Sequence, residues 1–361
     1  MSSLHLAELS HKLSGTVLAL TSVVNYTLIY LTLFHAHNLF GTYRHLIVTF
    51  AVFGIAFSCL EFLTRPVVSC NSCSEFVKHF QILHLHKSSL VLFSLDSPLR
   101  ASDFVTTVML ACFTGFHCSI LTLLSVQFLY RYWSMFDCHK VRLFEKNRII
   151  YWIVGVVLSG CLWVLFSYRA ISCDSFSRFY LKTEFWEKYR IDTSYLNCIS
   201  LIFLDKSNPQ KPRVRWCDVA YLCVLSVLLT SKLSVMLYCG LKMAARVNKR
   251  SSFRSSKHHR QHAYFLKSLF FQLAAPITIV YLPTLFVSYA PLLNIVISIP
   301  NGILVMLFTI YPAIDGIIVL VVVADYRIAL RNAFCRAISV FRSSEKQNDT
   351  AIKLDHLFAI P

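Results

Sequence analysis

Four polar side chains interrupt the long apolar stretches of this sequence, and their positions suggest chemistry. They are His117, Arg131, Lys232 and Asp315. A charged group inside a lipid bilayer is costly, so such residues are rare there and usually functional. Catalysis is not the expected function, because the sequence contains no Gly-rich phosphate loop, no His-Glu-x-x-His pattern and no pair of carboxylates inside the apolar stretches.

Metal binding has no support either. His84 and His86 form one pair and His258 and His259 form another, but neither pair has further ligands nearby in the sequence. The motif Cys70-Asn71-Ser72-Cys73 lacks the second ligand pair that a zinc site needs. We therefore predict a protein with no metal, no cofactor and no enzymatic activity.

The composition is that of a membrane protein. Hydrophobic residues make up 56% of the chain and charged residues 15%, and the mean hydropathy is +0.58, which a water-exposed surface does not tolerate. The net charge of +17 lies in short blocks between apolar runs, which is typical of cytoplasmic loops and not of a nucleic-acid-binding face. The 13 Cys are odd in number and several lie in apolar runs, so no disulfide framework is expected.

Runs without Asp, Glu, Lys or Arg predict the membrane-spanning helices, because about 20 apolar residues cross the hydrocarbon core. The run Ser268–Ile314 is too long for one crossing and must contain two, with a turn that starts at Ala290-Pro291. We predict an all-α membrane protein, a seven-transmembrane helix bundle. The predicted helices span about residues 13–34, 46–68, 104–130, 149–168, 218–241, 262–289 and 301–324.

The distribution of Lys and Arg predicts the orientation. Once the long loop 169–216 is set aside, the loops on the side of the C-terminal tail hold most of these residues, and long loops cross membranes with little regard to charge. Residues 1–12 and 169–216 are then extracellular, and 240–263 is a basic cytoplasmic loop of a multi-pass plasma-membrane protein. For residues 325–361, the sequence predicts a short amphipathic helix on the inner leaflet, followed by a disordered tail. Cys335 in this helix is a candidate for palmitoylation or an unmodified thiol.

Each of the four polar residues allows more than one interpretation. Arg131 directly follows the predicted end of helix three, where it is either an interface anchor or functional. His117 lies mid-helix and is either a satisfied core histidine or one wall of a ligand cavity. Lys232 and Asp315 lie at similar predicted depths, and an ion pair between them would lower the cost of both charges if their helices are neighbours.

Five short motifs lie in the apolar stretches or at their ends. They are Gly41-Thr42-Tyr43-Arg44, Glu61-Phe62-x-x-Arg65-Pro66, Gln127…Tyr130-Arg131-Tyr132, Gln272…Pro276…Tyr281-Leu282-Pro283, and Tyr311-Pro312-Ala313-Ile314-Asp315 with Asp325-Tyr326-Arg327. In order and spacing they resemble the nematode serpentine chemoreceptors of the Str class, which include the serpentine receptor class r-10-like proteins. The resemblance runs from about residue 10 to residue 340.

The resemblance implies a G-protein-coupled receptor on sensory cilia that binds small chemicals. Its partners would be a small-molecule odorant and a heterotrimeric G protein. Arg131 is similar to the basic residue that ends helix three in such receptors and faces the G protein. Pro312 and Asp315 resemble a hinge-and-polar element of helix seven, although Gly316 stands where the family usually has a second Pro. The implied coupling and switch residues are Tyr130, Arg131, Tyr132, Pro312, Asp315, Tyr326 and Arg327.

A ligand is expected to enter between the outer halves of helices three, five, six and seven, and to favour one of two packings of the bundle. The candidate ligand contacts are Phe113, Thr114, His117 and Tyr281. Two alternatives remain open. One is a ligand-gated channel or transporter subunit of inverted topology, and the other is a divergent receptor that no longer signals.

Overall fold

Seven long apolar helices pack into one bundle in the structure, a computed structural model, and this confirms the predicted fold class. The structure describes residues 3–34, 43–64, 82–86, 89–94, 103–145, 147–172, 174–189, 197–205, 213–251, 269–292, 303–323 and 326–332. The seven long helices are α1 (Ser3–Phe34), α2 (Tyr43–Thr64), α3 (Asp103–Phe136), α5 (Arg148–Ile171), α7 (Trp216–Ser251), α8 (Leu269–Tyr289) and α9 (Ile303–Val322). Within these described ranges, three shorter helices are α4 (Cys138–Val141), α6 (Ser175–Tyr189) and α10 (326–332).

Three of the long helices extend well past the bounds that the charge pattern predicts, and the first of them, α1, begins at Ser3 and not near residue 13. Helix α3 runs on beyond Arg131 to Phe136, and α7 runs on through the first part of the basic segment 240–263 to Ser251. A helix satisfies its own backbone hydrogen bonds, so it does not need to end where the apolar run ends. Arg131 is therefore inside α3 and not beyond its end.

One end of the bundle carries short strands in the described part of the chain. We call the end where α1, α3 and α7 begin the head face, and the opposite end the tail face. The predicted loops on the head face contain short strands, because short apolar segments that cannot cross a membrane satisfy their backbone groups by pairing. The strands β1 (Ile82–His86), β2 (Ser89–Ser94) and β3 (Asn197–Ile202) form one antiparallel sheet in that order, and β4 (Leu204–Asp205) pairs with β5 (Arg213–Val214).

One cysteine of the head-face sheet is in a disulfide. Cys198 in β3 is disulfide-bonded, and its partner is not among the seven cysteines that are described as free. The odd number of Cys predicted no disulfide framework, and it cannot exclude a single bond. A disulfide stabilises a fold mainly by restricting the unfolded chain, and this bond restricts the segment that contains β3.

Helix α8 changes its winding between two prolines. Residues Ile277–Tyr281 form a π-helix, and the backbone N–H of Leu282 donates to the carbonyl oxygen of Ile277, five residues earlier. Pro283 has no N–H and disfavours the ordinary helical bond to the preceding turn. Such π segments add one residue to a turn and rotate the helix that follows. Helix α8 is therefore irregular at mid-length.

Small residues let α3 and α5 approach closely. A Cβ atom on Gly115 would lie 2.3 Å from Cγ2 of Val164, and one on Gly160 would lie 2.0 Å from Oγ of Ser119 and 3.1 Å from the carbonyl oxygen of Gly115. Close backbone approach at small residues is a common way for membrane helices to associate. Gly160 is therefore required for the packing of α3 against α5.

The replacement Gly160→Leu is expected to destabilise the bundle by about 1–3 kcal/mol, the usual cost of overpacking a filled interface. Thermal unfolding of the purified protein in lipid nanodiscs measures the loss. Gly155→Leu on the same helix is the matched control, because a Cβ atom at Gly155 meets no atom within 4 Å. Equal unfolding temperatures for the two variants would contradict the close packing of α3 and α5.

Candidate functional site

Arg131 connects three helices near the tail face. Its Nε donates a hydrogen bond to the Tyr43 hydroxyl of α2 at 2.6 Å, and its Nη1 donates to Oε1 of Gln272 in α8. The guanidinium carbon also lies 5.3 Å from the ring centre of Tyr43 and 5.5 Å from that of Phe128. We call Tyr43, Arg131 and Gln272 the Arg131 cluster. An interface anchor would extend into the lipid headgroups, whereas this side chain is held between helices.

The two tyrosines beside Arg131 contact different helices. The ring of Tyr130 is buried and stacks on Tyr43 of α2 at 5.3 Å. The ring of Tyr132 lies 5.8 Å from that of Tyr238 in α7. Successive side chains on a helix point about 100° apart, so the Tyr130-Arg131-Tyr132 motif contacts α2, α8 and α7 from one turn of α3.

Asp315 is buried in the inner half of α9, with 5% of its surface exposed. The Tyr311 hydroxyl donates to its Oδ1 at 3.5 Å, and the carboxylate is close enough to Arg131 for electrostatic attraction. The Lys232–Asp315 ion pair does not form in the described part of the chain, where the Lys232 ammonium donates to the Cys118 carbonyl oxygen at 3.2 Å. Their helices have different main neighbours, since α7 packs chiefly on α3 and α5 while α9 packs chiefly on α1 and α2.

Pro312 lies inside α9 where this helix contacts α2. A Cβ atom on Gly54 would lie 2.5 Å from Cβ of Pro312, so only glycine fits beside the proline. One turn later, a Cβ atom on Gly316 would lie 2.9 Å from Cγ1 of Val24 in α1. A second proline at this position would collide with α1, because the proline ring includes Cβ. Gly316 therefore allows α9 to approach α1 closely.

The short helix α10 follows the last span, as predicted. Tyr326 is fully buried, and its hydroxyl shares a hydrogen bond with the Thr32 hydroxyl of α1 at 2.7 Å. Ala329 is buried, while the side chain of Arg327 is exposed, so the described part of α10 is amphipathic. Cys335 and the remainder of the predicted apolar stripe lie outside the described residues.

A second polar group lies between α3 and α8, closer to the head face. Nε2 of His117 lies 3.2 Å from Oγ1 of Thr284, and its ring lies 4.9 Å from the ring of Phe308 in α9. The Tyr281 hydroxyl, one turn from Thr284, donates to Sδ of Met236 in α7 at 3.6 Å. Two of the four predicted ligand contacts, His117 and Tyr281, thus lie where α3, α7, α8 and α9 meet.

The other two predicted ligand contacts point elsewhere. The ring of Phe113 packs on Phe57 of α2, with 4.8 Å between ring centres. The Thr114 hydroxyl donates to the Ser167 hydroxyl of α5 at 3.2 Å. Both residues therefore contribute to contacts of α3 with α2 and α5, on faces of the helix that differ from that of His117.

An ionic cluster on the head face was not predicted from the sequence. Nε of Arg215 lies 2.9 Å from Oδ2 of the fully buried Asp218, and Nη2 lies 3.1 Å from Oδ2 of Asp174. The backbone N–H of Ile202 in β3 also donates to Asp218 at 3.3 Å. Partial burial raises the pKa of Asp174, but hydrogen bonds from Ser177 and the Arg215 charge outweigh this effect and hold that pKa below its ordinary value. Arg215 and Asp218 are three residues apart in the chain, and the fold brings Asp174 and Ile202 to them.

Tyr43 and Gln272 were missing from the predicted coupling residues, although both belong to motifs that the sequence contains. The feature of the sequence that could have identified them is that each is a polar residue in a motif within an apolar stretch or at its end. Partner choice depends on how α2, α3 and α8 are arranged, and that is not visible in the sequence. Among the residues that the structure describes, no three His, Cys, Asp or Glu side chains come together as a metal site.

The described helices include seven that are long and apolar enough to cross a membrane, with an arginine held between helices at the tail face and a proline inside the seventh, and this is the architecture of a multi-pass membrane protein. The family described as "Serpentine type 7TM GPCR chemoreceptor Str" matches residues 10–331, and the chain belongs to this family. It is a family of chemoreceptors, which confirms the resemblance found in the sequence. It is not a family of enzymes, which confirms the prediction that the chain is not an enzyme.

Relatives of similar length support the assignment. The chain is 30% identical over 334 residues to the G-protein coupled receptor str-33 of Caenorhabditis elegans, covering 92% of each chain. It is 23% identical over 340 residues to the serpentine receptor class r-10 of Caenorhabditis elegans, covering 91% of this chain and 93% of that one. The identity to the serpentine receptor class r-10 of Caenorhabditis briggsae is 24% over 346 residues, with coverage of 91% and 93%.

Proposed function

We propose that this chain is a chemosensory, olfactory receptor that binds a small molecule within the bundle and activates a heterotrimeric G protein at the tail face. The observation that carries the proposal is the Arg131 cluster, in which one guanidinium is bonded to both α2 and α8. A cation held between helices in this way can change partners when the helices move. A simple anchor in the membrane interface has no such second position.

Helix α8 supplies the connection between ligand and G protein. Its Thr284 contacts His117 in the middle of the bundle, and its Gln272 contacts Arg131 near the tail face. The π segment Ile277–Tyr281 lies between these two contacts, and irregular winding of this kind marks a point where a helix bends. A ligand that displaces α8 at Thr284 would favour a second packing in which Gln272 releases Arg131.

The orientation belongs to the same proposal. The excess of Lys and Arg in the loops of the tail face supports a cytoplasmic tail and an extracellular N-terminus. Near that face, the Arg246 guanidinium of α7 lies 4.5 Å from the ring centre of Phe136 at the end of α3, which places a second cation at the tail-face end of α3. Display at the plasma membrane of a sensory cilium follows from the resemblance to the serpentine chemoreceptors.

The test is G-protein activation in transfected cells, measured by energy transfer between labelled G-protein subunits during a screen of small volatile compounds. We expect at least one compound to activate the receptor in a dose-dependent way. An epitope tag on the tail should be reached by antibody only after the cells are permeabilised. Labelling of intact cells would favour the inverted channel or transporter, and compound binding without G-protein activation would favour a receptor that no longer signals.

A further inference from the structure

Lys232 lies near the middle of the apolar span Trp216–Val247 of α7. It is on the inward face of the helix, between the buried residues Leu229 and Met236, and is itself half-buried. A lysine at this depth costs several kcal/mol unless it finds a partner, and residues of this kind usually mark a binding site or an ion path. A functional role for the Lys232 ammonium group would explain why a residue with this cost is found at this depth.

The described neighbours of Lys232 compensate its charge only partly. Its Nζ donates to the carbonyl oxygen of Cys118 at 3.2 Å and to Sγ of the same residue at 3.1 Å. An ammonium group has three N–H donors, so one is left over among the described contacts. Within the described residues, none of the carboxylates is within ion-pair distance of Lys232. A neutral carbonyl and a thiol are weak partners for a full positive charge.

The surroundings of Lys232 combine polar groups with apolar walls. His117 precedes Cys118, the residue that Lys232 contacts, on α3, and it lies beside the Thr284 hydroxyl and the Phe308 ring. This set offers one cation, one imidazole and one hydroxyl where α3, α7, α8 and α9 meet. Small-ligand sites are mostly apolar with a few polar groups that fix orientation. An ammonium group there suits a ligand that carries a negative charge.

We propose that Lys232 is the anion-binding residue of the ligand site, and that the ligand class is a small organic carboxylate with an apolar tail. The carboxylate accepts a hydrogen bond from Nζ of Lys232, and the tail contacts apolar side chains such as Phe308. A charge-assisted bond of this kind is about twice as strong as one to a neutral carbonyl. The inference rests on the proposed receptor function and specifies what that receptor binds.

The first experiment measures binding without signalling. The purified receptor in lipid nanodiscs is heated with straight-chain carboxylates from propanoate to hexadecanoate, and with the primary alcohols of the same lengths. We expect one or more carboxylates to raise the unfolding temperature in a saturable way, and the matched alcohols to bind at least about tenfold more weakly, as expected for loss of a charged hydrogen bond. The chain length that binds best separates a water-soluble acid from a membrane fatty acid, and either supports the carboxylate site.

Substitutions at Lys232 test whether this side chain causes the preference for carboxylates over alcohols. Lys232→Met keeps the length of the side chain and removes the charge, and it should lose the preference for carboxylates. Lys232→Arg should keep that preference. The matched control is Lys242→Met, which removes an exposed lysine of the same helix and should bind as the wild type does. The proposal is overturned if no carboxylate binds the wild type, if Lys232→Met binds carboxylates unchanged, or if Lys242→Met loses binding equally.

Signalling of the same panel separates the two proposals. Activation by alcohols or other neutral compounds without any response to carboxylates would overturn the ligand class and leave the receptor function intact. Carboxylate binding that depends on Lys232 but never activates a G protein would overturn the proposed signalling function and leave the binding site intact. Carboxylate-dependent activation that is lost in Lys232→Met would support both.

Discussion

Arg131→Ala is expected to reduce ligand-dependent G-protein activation by about tenfold or more, in the range of known allosteric coupling energies. The guanidinium is the group that α2 and α8 hold, and its loss removes the charge that a released cluster would present to the G protein. Cell-surface staining of an N-terminal epitope normalises the signal to the number of receptors. The measurement is the activation amplitude at saturating ligand.

Two further variants define what Arg131 does. Gln272→Leu cuts only the bond to α8, so it should raise basal signalling without ligand, because Arg131 is then released more easily. Arg142→Ala removes an exposed cation from the same face and should change activation little. Undiminished signalling of Arg131→Ala at equal surface expression would contradict the proposed role of Arg131 in G-protein activation. Equal impairment by Arg142→Ala would assign the effect to the charge of the whole face.

Asp218→Ala is expected to lower the free energy of unfolding by about 1–3 kcal/mol, the usual cost of leaving a buried polar group without its partner, and Arg215 then keeps only its contact with Asp174. The carboxylate is fully buried, while 22% of the Arg215 side chain is exposed. The change also removes the acceptor of the Ile202 backbone N–H in β3. Thermal unfolding in nanodiscs and the fraction of protein that reaches the cell surface are the measurements.

Lys140→Ala provides the control for this stability effect. Lys140 lies in α4, and Asp137 is the N-cap residue of the same helix. They form an ion pair of 3.4 Å, but their side chains are 55% and 38% exposed. Exposed pairs contribute little because water and salt screen them, so no measurable change in unfolding is expected. Equal stability of Asp218→Ala and the wild type would contradict the importance of the buried pair for joining α7 to the head-face sheet.

The sequence predicted the bundle well because the bilayer imposes a simple rule. A helix must supply enough apolar residues to cross the hydrocarbon core and must bond its own backbone, so apolar runs reveal the spans directly. The ends were less predictable. Arg131 terminates an apolar run but not a helix, and Ile277–Tyr281 are π-helical although their composition does not differ from that of an ordinary span. The strands of the head face were missed because segments of five or six residues are too short to be recognised as membrane spans, although Leu83-His84-Leu85-His86 in β1 does show the alternation of a strand.

The sequence by itself determined that this chain is a seven-helix membrane protein of a chemoreceptor family, and that His117, Arg131, Lys232 and Asp315 are its unusual polar residues. Only the tertiary structure decided their partners. Arg131 bonds to Tyr43 and Gln272, and Lys232 bonds to Cys118 in place of Asp315. The physical reason is that depth in the membrane follows from position along one helix, whereas a contact depends on which helices are neighbours and how each is rotated.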